Sequence, residues 1–337
     1  MKLSYSDEQN LLRDSVSKFC MSDYDFETRM KSVESEKGHN EEHWKLFAEL
    51  GWLAIPFAEE HGGLDGNDVD LSLMFEEFGK AIVVEPYLAN VVLGGGVLKR
   101  SDLEDKAKHI EGIIAGESQV SLANYEPEKG FNLANVDCEI SSDGTVNGLK
   151  TTVLNAQNAN YFVVFGKHEK DHAFALVSKD AEGLKCTSYK TYDGFVSGDV
   201  KFENCKAEAV FSVGSALNIL EETILDALVC VSSEAVGAME KCYQLTIEYT
   251  KQREQFGQPL SKFQALQHRM VDMFMETEFT KSFLLKVLAT HEADEKRKLI
   301  YGLKNQVALA GKSVAEEAVQ MHRSEERRVG KECPLLC

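Results

Sequence analysis

Within this chain of 337 residues, the side chains best equipped for chemistry cluster in Arg253-Glu254-Gln255-Phe256-Gly257-Gln258-Pro259-Leu260-Ser261-Lys262-Phe263-Gln264-Ala265-Leu266-Gln267-His268. An arginine presents a rigid cationic fork that suits carboxylate or phosphate, and phenylalanines present flat apolar surface. The same residues also describe the solvated corner of an ordinary helical hairpin, and residue types alone do not separate the two. Elsewhere the candidates are thinner. His61 stands in a turn without a partner and reads as structural. Lys150 reads as the solvated partner of a hairpin face rather than a ligand. Cys20, Cys138, Cys186, Cys205, Cys230 and Cys242 are scattered, with no CxxC pair, and read as reduced small residues that hold no metal.

The cluster is framed by two apolar-periodic runs. Over 217–250, Leu217, Leu220, Ile224, Leu228, Val231, Ala235, Met239 and Cys242 recur at helical spacing. Over 263–290, Phe263, Leu266, Met270, Met273, Thr280, Phe283 and Val287 do the same. Gly257 and Pro259 mark the break between the two. Toward the N-terminus, Ser6 precedes Gln9 by a capping-box spacing and opens a helix over 6–20. A polar stretch over 22–40 reads as a peripheral helix and loop. Further helices follow over 41–50, 68–83 and 88–98. After residue 112 the period changes to short strands, including Gln119–Ala123, Tyr161–Phe165, Ala173–Val177 and Val200–Phe202, with Asp143-Gly144 as a hairpin turn.

Acidic residues outnumber basic ones, 55 to 37, for a formal charge of −18. That balance repels nucleic acid and anionic lipid, and no basic stripe reverses it. No run approaches the length of a membrane span, and the first residues lack the apolar core of a signal peptide, so a cytoplasmic location is expected.

Tyr249-Thr250-Lys251-Gln252-Arg253-Glu254-Gln255-Phe256-Gly257, followed by Phe263-Gln264-Ala265, resembles the helix junction of the acyl-CoA dehydrogenase family. Glu49-Leu50-Gly51-Trp52, Pro56 and Glu59-Glu60-His61-Gly62-Gly63 resemble that family's N-terminal helical domain. The resemblance implies an α+β multidomain fold: an all-helical domain over 1–115, an antiparallel β domain over 116–212 and a helical bundle over 213–322, with 323–337 read as a non-native tail. It implies FAD as cofactor, with Arg253 on the pyrophosphate and adenine side. Gln255, Phe256, Leu260, Phe263 and Leu266 match positions that line the FAD of a neighbouring subunit, so a homodimer or homotetramer is expected. In the β domain, Asp143 to Lys150 resembles the hairpin that leads to a flavin-facing strand, placing Thr152, Val153 and Leu154 at the flavin edge. Asn124-Tyr125-Glu126-Pro127-Glu128-Lys129-Gly130 resembles the other flavin-facing loop, although only Glu126-Pro127 keeps the family pattern.

The implied reaction is αβ-desaturation of an acyl-CoA thioester, with electrons passed to an electron-transfer flavoprotein. It needs a carboxylate base. One family group carries that base on the long helix, where Ala227 stands here, and Asp226 beside it is a weak substitute. The larger group carries it in a C-terminal segment that this sequence does not match after His322. Loss of that segment is expected to expose Val307, Leu309 and Val314. Two alternatives are an acyl-CoA oxidase and a non-catalytic subunit that shares FAD-binding surface with a homologous partner.

Overall fold

A computed structural model describes residues 5–322; the reading of 323–337 as a non-native tail falls outside them. The helices begin where their caps dictate. Helix α1 (Asp7–Ser22) opens with the expected capping box: the Ser6 N–H donates to Gln9 Oε1 at 3.1 Å and the Gln9 N–H to Ser6 Oγ at 3.1 Å. Asp25 caps α2 (Phe26–Glu34), accepting from the Thr28 N–H at 2.8 Å, and Asn40 caps α3 (Glu41–Glu49). The polar stretch after residue 22 thus holds a short capped helix. Helix α4 (Asp68–Ala81) is followed by a π-helical turn over Leu88–Gly94, then α5 (Gly95–Arg100) and α6 (Lys106–Ile114).

Eight strands come next: β1 (Val120–Ala123), β2 (Glu139–Ile140), β3 (Thr145–Leu154), β4 (Tyr161–His168), β5 (Asp171–Ser178), β6 (Leu184–Lys190), β7 (Val196–Lys206) and β8 (Ala209–Phe211). They form one sheet in the order β6-β7-β3-β2-β4-β5-β8, with β1 also pairing β4. The pairing is antiparallel except that β1 and β2 each lie parallel to β4. Phe162, Val164, Val200, Phe202, Cys138 and Cys205 fill its core. Helix α7 (Ala216–Gln252), a two-stranded hairpin of β9 (Glu254–Gln255) and β10 (Gln258–Pro259), α8 (Gln264–Leu288) and α9 (Ala293–Met321) complete the described chain. None of the described helices is long and apolar enough to cross a membrane.

The chain condenses into two compact units that do not follow chain order. One takes the sheet, residues 21–71, and the segment from Val83 to Cys230. Within it the π-helical turn positions β1: Asn90 Oδ1 accepts from the Val120 N–H at 2.7 Å, and Asn90 Nδ2 donates to the Ser118 carbonyl at 3.3 Å. The other unit takes α1 through Cys20, Ser72–Ile82, and the described chain from Val231 to residue 322. There α4 and α7 meet backbone to backbone, because a Cβ on Gly237 would collide with the Glu76 carbonyl and one on Gly79 with that of Glu234. Beside this contact, Lys281 Nζ lies 3.2 Å from Glu76 and 3.4 Å from Glu240. Burial raises the Glu76 carboxyl above its ordinary value, while the Lys281 cation opposes that. Burial also works against the Lys281 charge, but Glu76 and Glu240 outweigh it and hold the ammonium above its usual range.

Helix α7 is enclosed more widely than its apolar stripe implies. Thr223, Ser232, Ser233, Thr246 and Thr250 are fully buried on it, and the Ser233 and Ser72 hydroxyls bond at 2.8 Å. On α9 the expectation of exposed Val307 and Val314 is corrected: both are buried, as α9 turns that face inward, whereas Leu309 is 62% exposed.

Candidate functional site

Strand β3 carries a distortion at the position the family resemblance singles out. Its pairing with β7 slips between Lys150 and Val153, and Thr152 sits at φ 54°. A β-branched residue in the left-handed region is a genuine outlier, and such bulges re-aim backbone near functional sites. Three bonds fix it in place. The Thr151 N–H donates to the Tyr125 carbonyl at 2.9 Å, the Thr152 N–H to Asp199 Oδ1 at 3.2 Å, and the Asn155 N–H to the Val196 carbonyl at 2.7 Å. Asn155 is left-handed too, at φ 58°, so Val153 and Leu154 are bracketed by two turned residues. The Val153 side chain is buried in the sheet core, and past the bulge the strand pairs Val153 with Gly198 and Leu154 with Ser197 of β7. Leu154, next along the strand, is half-buried.

Beside this bulge runs the loop that leaves β1. Lys150 is fully buried, which corrects its reading as a solvated side chain. Its Nζ lies 2.6 Å from Glu126 Oε1 and donates to the Asn124 carbonyl at 3.3 Å. Glu126 also accepts from the Asp137 N–H at 2.5 Å and the Cys138 N–H at 3.0 Å. Burial opposes charge on Glu126, but the Lys150 hydrogen bond and charge, with the two backbone donors, hold its carboxyl below the ordinary range. Both loop and strand are therefore tied to one ion pair. Nothing in the separate residues announced it; the surviving Glu126-Pro127 and Lys150 were the available signal, 24 positions apart.

The junction belongs to the other compact unit. It is not a simple helix corner. β9 and β10 pair as a tight hairpin in which Phe256 (φ 55°) and Gly257 (φ 80°) are both left-handed, the geometry of a type I′ turn. Asn or Gly is the usual occupant of the first position; here a phenylalanine holds it, with its ring 93% exposed. The ring meets Phe263 edge-on, at 6.2 Å between centroids. The Leu260 N–H donates to the Arg253 carbonyl at 2.8 Å, closing the hairpin onto the start of α8. Arg253 and Gln255 are exposed, and Leu260, Phe263 and Leu266 are half-buried around them. Among the described residues the Arg253 guanidinium has no ion-pair partner. Among the described residues, a cationic fork without an ion-pair partner thus stands beside an exposed apolar ring.

The two remaining candidates are placed differently. Asp226 is engaged by Arg100, Nη2 to Oδ2 at 2.6 Å, and Ala227 is buried. His61 lies 3.4 Å from Glu60. Asp226 and the bulged strand share a unit; the Arg253 cluster lies in the other.

With this geometry in place, comparison with known proteins gives consistent results. The family model described as the acyl-CoA dehydrogenase N-terminal domain matches residues 6–117, and that described as the C-terminal domain matches residues 217–324. A probable acyl-CoA dehydrogenase of Bacillus subtilis is 28% identical, over 96% of this chain and 89% of that protein. Among solved structures, PigA with FAD and proline superposes with a TM-score of 0.88 at 22% identity, covering 98% of this chain and 91% of that one. The ChsE4-ChsE5 complex from Mycobacterium tuberculosis gives a TM-score of 0.86 at 20% identity, with both chains covered in full.

Proposed function

The chain belongs to the acyl-CoA dehydrogenase family, and from that premise we propose that it is an FAD-dependent oxidoreductase that desaturates an acyl-CoA thioester between its α and β carbons. The observation that carries the cofactor reading is the hairpin, where Arg253, without an ion-pair partner among the described residues, stands beside an exposed Phe256 held in a strained backbone. A dinucleotide brings an anionic pyrophosphate and extended ring systems, so it asks for a fixed cation next to apolar walls. Arg253 supplies the fork, with Gln255 as a neutral donor and acceptor. Phe256, Phe263, Leu260 and Leu266 supply the walls. The bulged strand offers the peptide groups of Val153 and Leu154, which do not depend on side-chain identity. When bound, FAD supplies the acceptor for the β hydride.

Because the Phe256 ring is 93% exposed and the hairpin resembles the family positions that line a neighbouring subunit's FAD, we assign the hairpin to a neighbouring subunit's cofactor. Binding and assembly are then linked by mass action, in a homodimer or homotetramer. An electron-transfer flavoprotein is the assigned acceptor of the electrons. The proton step needs a carboxylate. On α7, Ala227 offers none and Asp226 is committed to Arg100, so neither is given that role.

This last point favours a second reading, a subunit that lends its hairpin to a homologous partner in a heteromer. PigA, carrying FAD, and the two-component ChsE4-ChsE5 complex share the fold and lend support to the cofactor and to that assembly respectively. The test is to purify the chain, release and identify its flavin, and mix the holoprotein anaerobically with a panel of saturated acyl-CoA thioesters. Bleaching of the flavin absorbance supports the dehydrogenase. Bound FAD with no bleaching, alone or at any chain length, supports the lending subunit. A colourless protein that takes up no added FAD overturns both.

A further inference from the structure

The Lys150–Glu126 pair stands apart from the other ion pairs of the described chain in how little of it meets solvent: the side chains are 0% and 4% exposed. A buried pair is a poor device for stability as such, since well-packed apolar residues commonly do as well. What this one does is mechanical. The Glu126 carboxylate takes the N–H groups of Asp137 and Cys138, so it closes the mouth of the loop that begins at Glu126 itself. Lys150 joins that closure to β3 and, through the Asn124 carbonyl, to the end of β1. The enclosed segment carries left-handed Glu128 (φ 60°) and Gly130 (φ 65°), and lifts Phe131 to 97% exposure. Two residues past Lys150, the strand slips register and Thr152 enters its left-handed conformation. Such a conformation persists only where the surroundings over-determine it. Here one of its supports, the Thr151 N–H to Tyr125 carbonyl bond, depends on residue 125 lying next to the anchored Glu126.

We propose that Lys150 and Glu126 are positioning residues for the cofactor: their pair locks the Asn124–Gly130 loop against β3 and thereby sets the Thr152 bulge that aims the Val153 and Leu154 peptides. The proposal rests on the FAD reading above for its functional half and on the geometry of one unit for its structural half. It separates the pair's role from ordinary stabilisation in a specific way. Lys150→Met alone leaves a buried carboxylate uncompensated, and both fold and site suffer. Lys150→Met with Glu126→Leu removes both charges, so the fold recovers, but the loop has lost its closure to Asp137 and Cys138.

The experiment measures three quantities on the full chain: thermal midpoint, FAD affinity by fluorescence titration, and the rate of chymotrypsin cleavage after Phe131. The double variant is expected to regain most of the midpoint that Lys150→Met loses, while FAD affinity stays about tenfold to a hundredfold weaker, the scale of losing charge-assisted hydrogen bonds. Cleavage after Phe131 is expected to speed up in the same variant. If the double variant binds FAD as tightly as wild type and is cleaved no faster, the pair is structural only and the proposal is overturned. If wild type takes up no FAD, the flavin reading fails and the positioning role fails with it. The cleavage comparison then still decides whether the pair closes the loop.

Discussion

Replacing Phe256 by Asn should separate cofactor binding from stability, with the two moving in opposite directions. In the described chain the ring is 93% exposed and meets Phe263 edge-on, so its removal forfeits little burial within the chain. Its backbone, at φ 55°, lies where a non-glycine residue costs roughly 1–2 kcal/mol, and Asn is among the few that enter that region readily. The apoprotein should therefore gain up to about 1 kcal/mol, a rise of a few degrees at most in its thermal midpoint. Cofactor binding should weaken. An aromatic side chain that becomes covered on binding removes on the order of 100 Å² from water, which at about 25 cal/mol per Å² is worth about 2.5 kcal/mol, or roughly seventyfold in affinity. Apoprotein midpoints by calorimetry and FAD affinities by fluorescence titration read the two effects separately. A lower midpoint with unchanged FAD affinity would sink the reasoning, since it would mean that Phe256 serves its own chain and not a ligand.

Three other outcomes follow from residues already placed. Arg253→Ala should cost FAD binding about 1.5–3 kcal/mol, and Arg253→Lys should recover only part of it because an ammonium lacks the fork; full recovery with lysine would argue against two-pronged contact. Gly237→Ala drives a Cβ into the Glu76 carbonyl, and should lower stability by about 1–3 kcal/mol in a urea titration; an unchanged midpoint would show that α4 and α7 separate freely. The Glu126 carboxyl is depressed in the fold, so its contribution is present above the ordinary carboxylate range and is lost as pH falls through its folded value. Urea midpoints measured down through the acid range should fall less steeply for Glu126→Gln than for wild type, and parallel curves would remove Glu126 from the account.

Much of the scaffold was legible because it rests on local rules. The capping box at Ser6, the Asp143-Gly144 turn and the period of α8 each act within a few residues. The helical junction was legible as a break, since Gly257 and Pro259 leave no other option. What it became was not: a type I′ hairpin with Phe256 in a glycine-like conformation goes against the residue's own preference, and only neighbouring structure enforces that. Lys150 was misread for a related reason. A lysine on a strand is polar by type, yet Lys150 keeps the alternation that buries Val146 and meets a carboxylate 24 positions earlier. Val307 and Val314 show the converse error, where a missing partner was assumed and α9 simply rotated them into its own unit. Asp226 could be weighed by spacing alone, but its engagement with Arg100 crosses 126 positions of sequence.

The strand order has a further consequence, for the sequence of events as the chain folds. β3 carries the bulge, but its partner β7 emerges only after β4, β5 and β6 have been made. β1 waits likewise for β4, and in parallel register, so no short hairpin can bring them together. Pairings between distant segments close late, because chain entropy must be surrendered before contacts repay it. The peptides assigned to the flavin should thus acquire their shape among the last steps of folding, once β7 has paired with the bulged strand. A cofactor that binds only the finished sheet would then act as a check on completed folding, trapping chains in which Val153 has found Gly198 and leaving the rest unliganded.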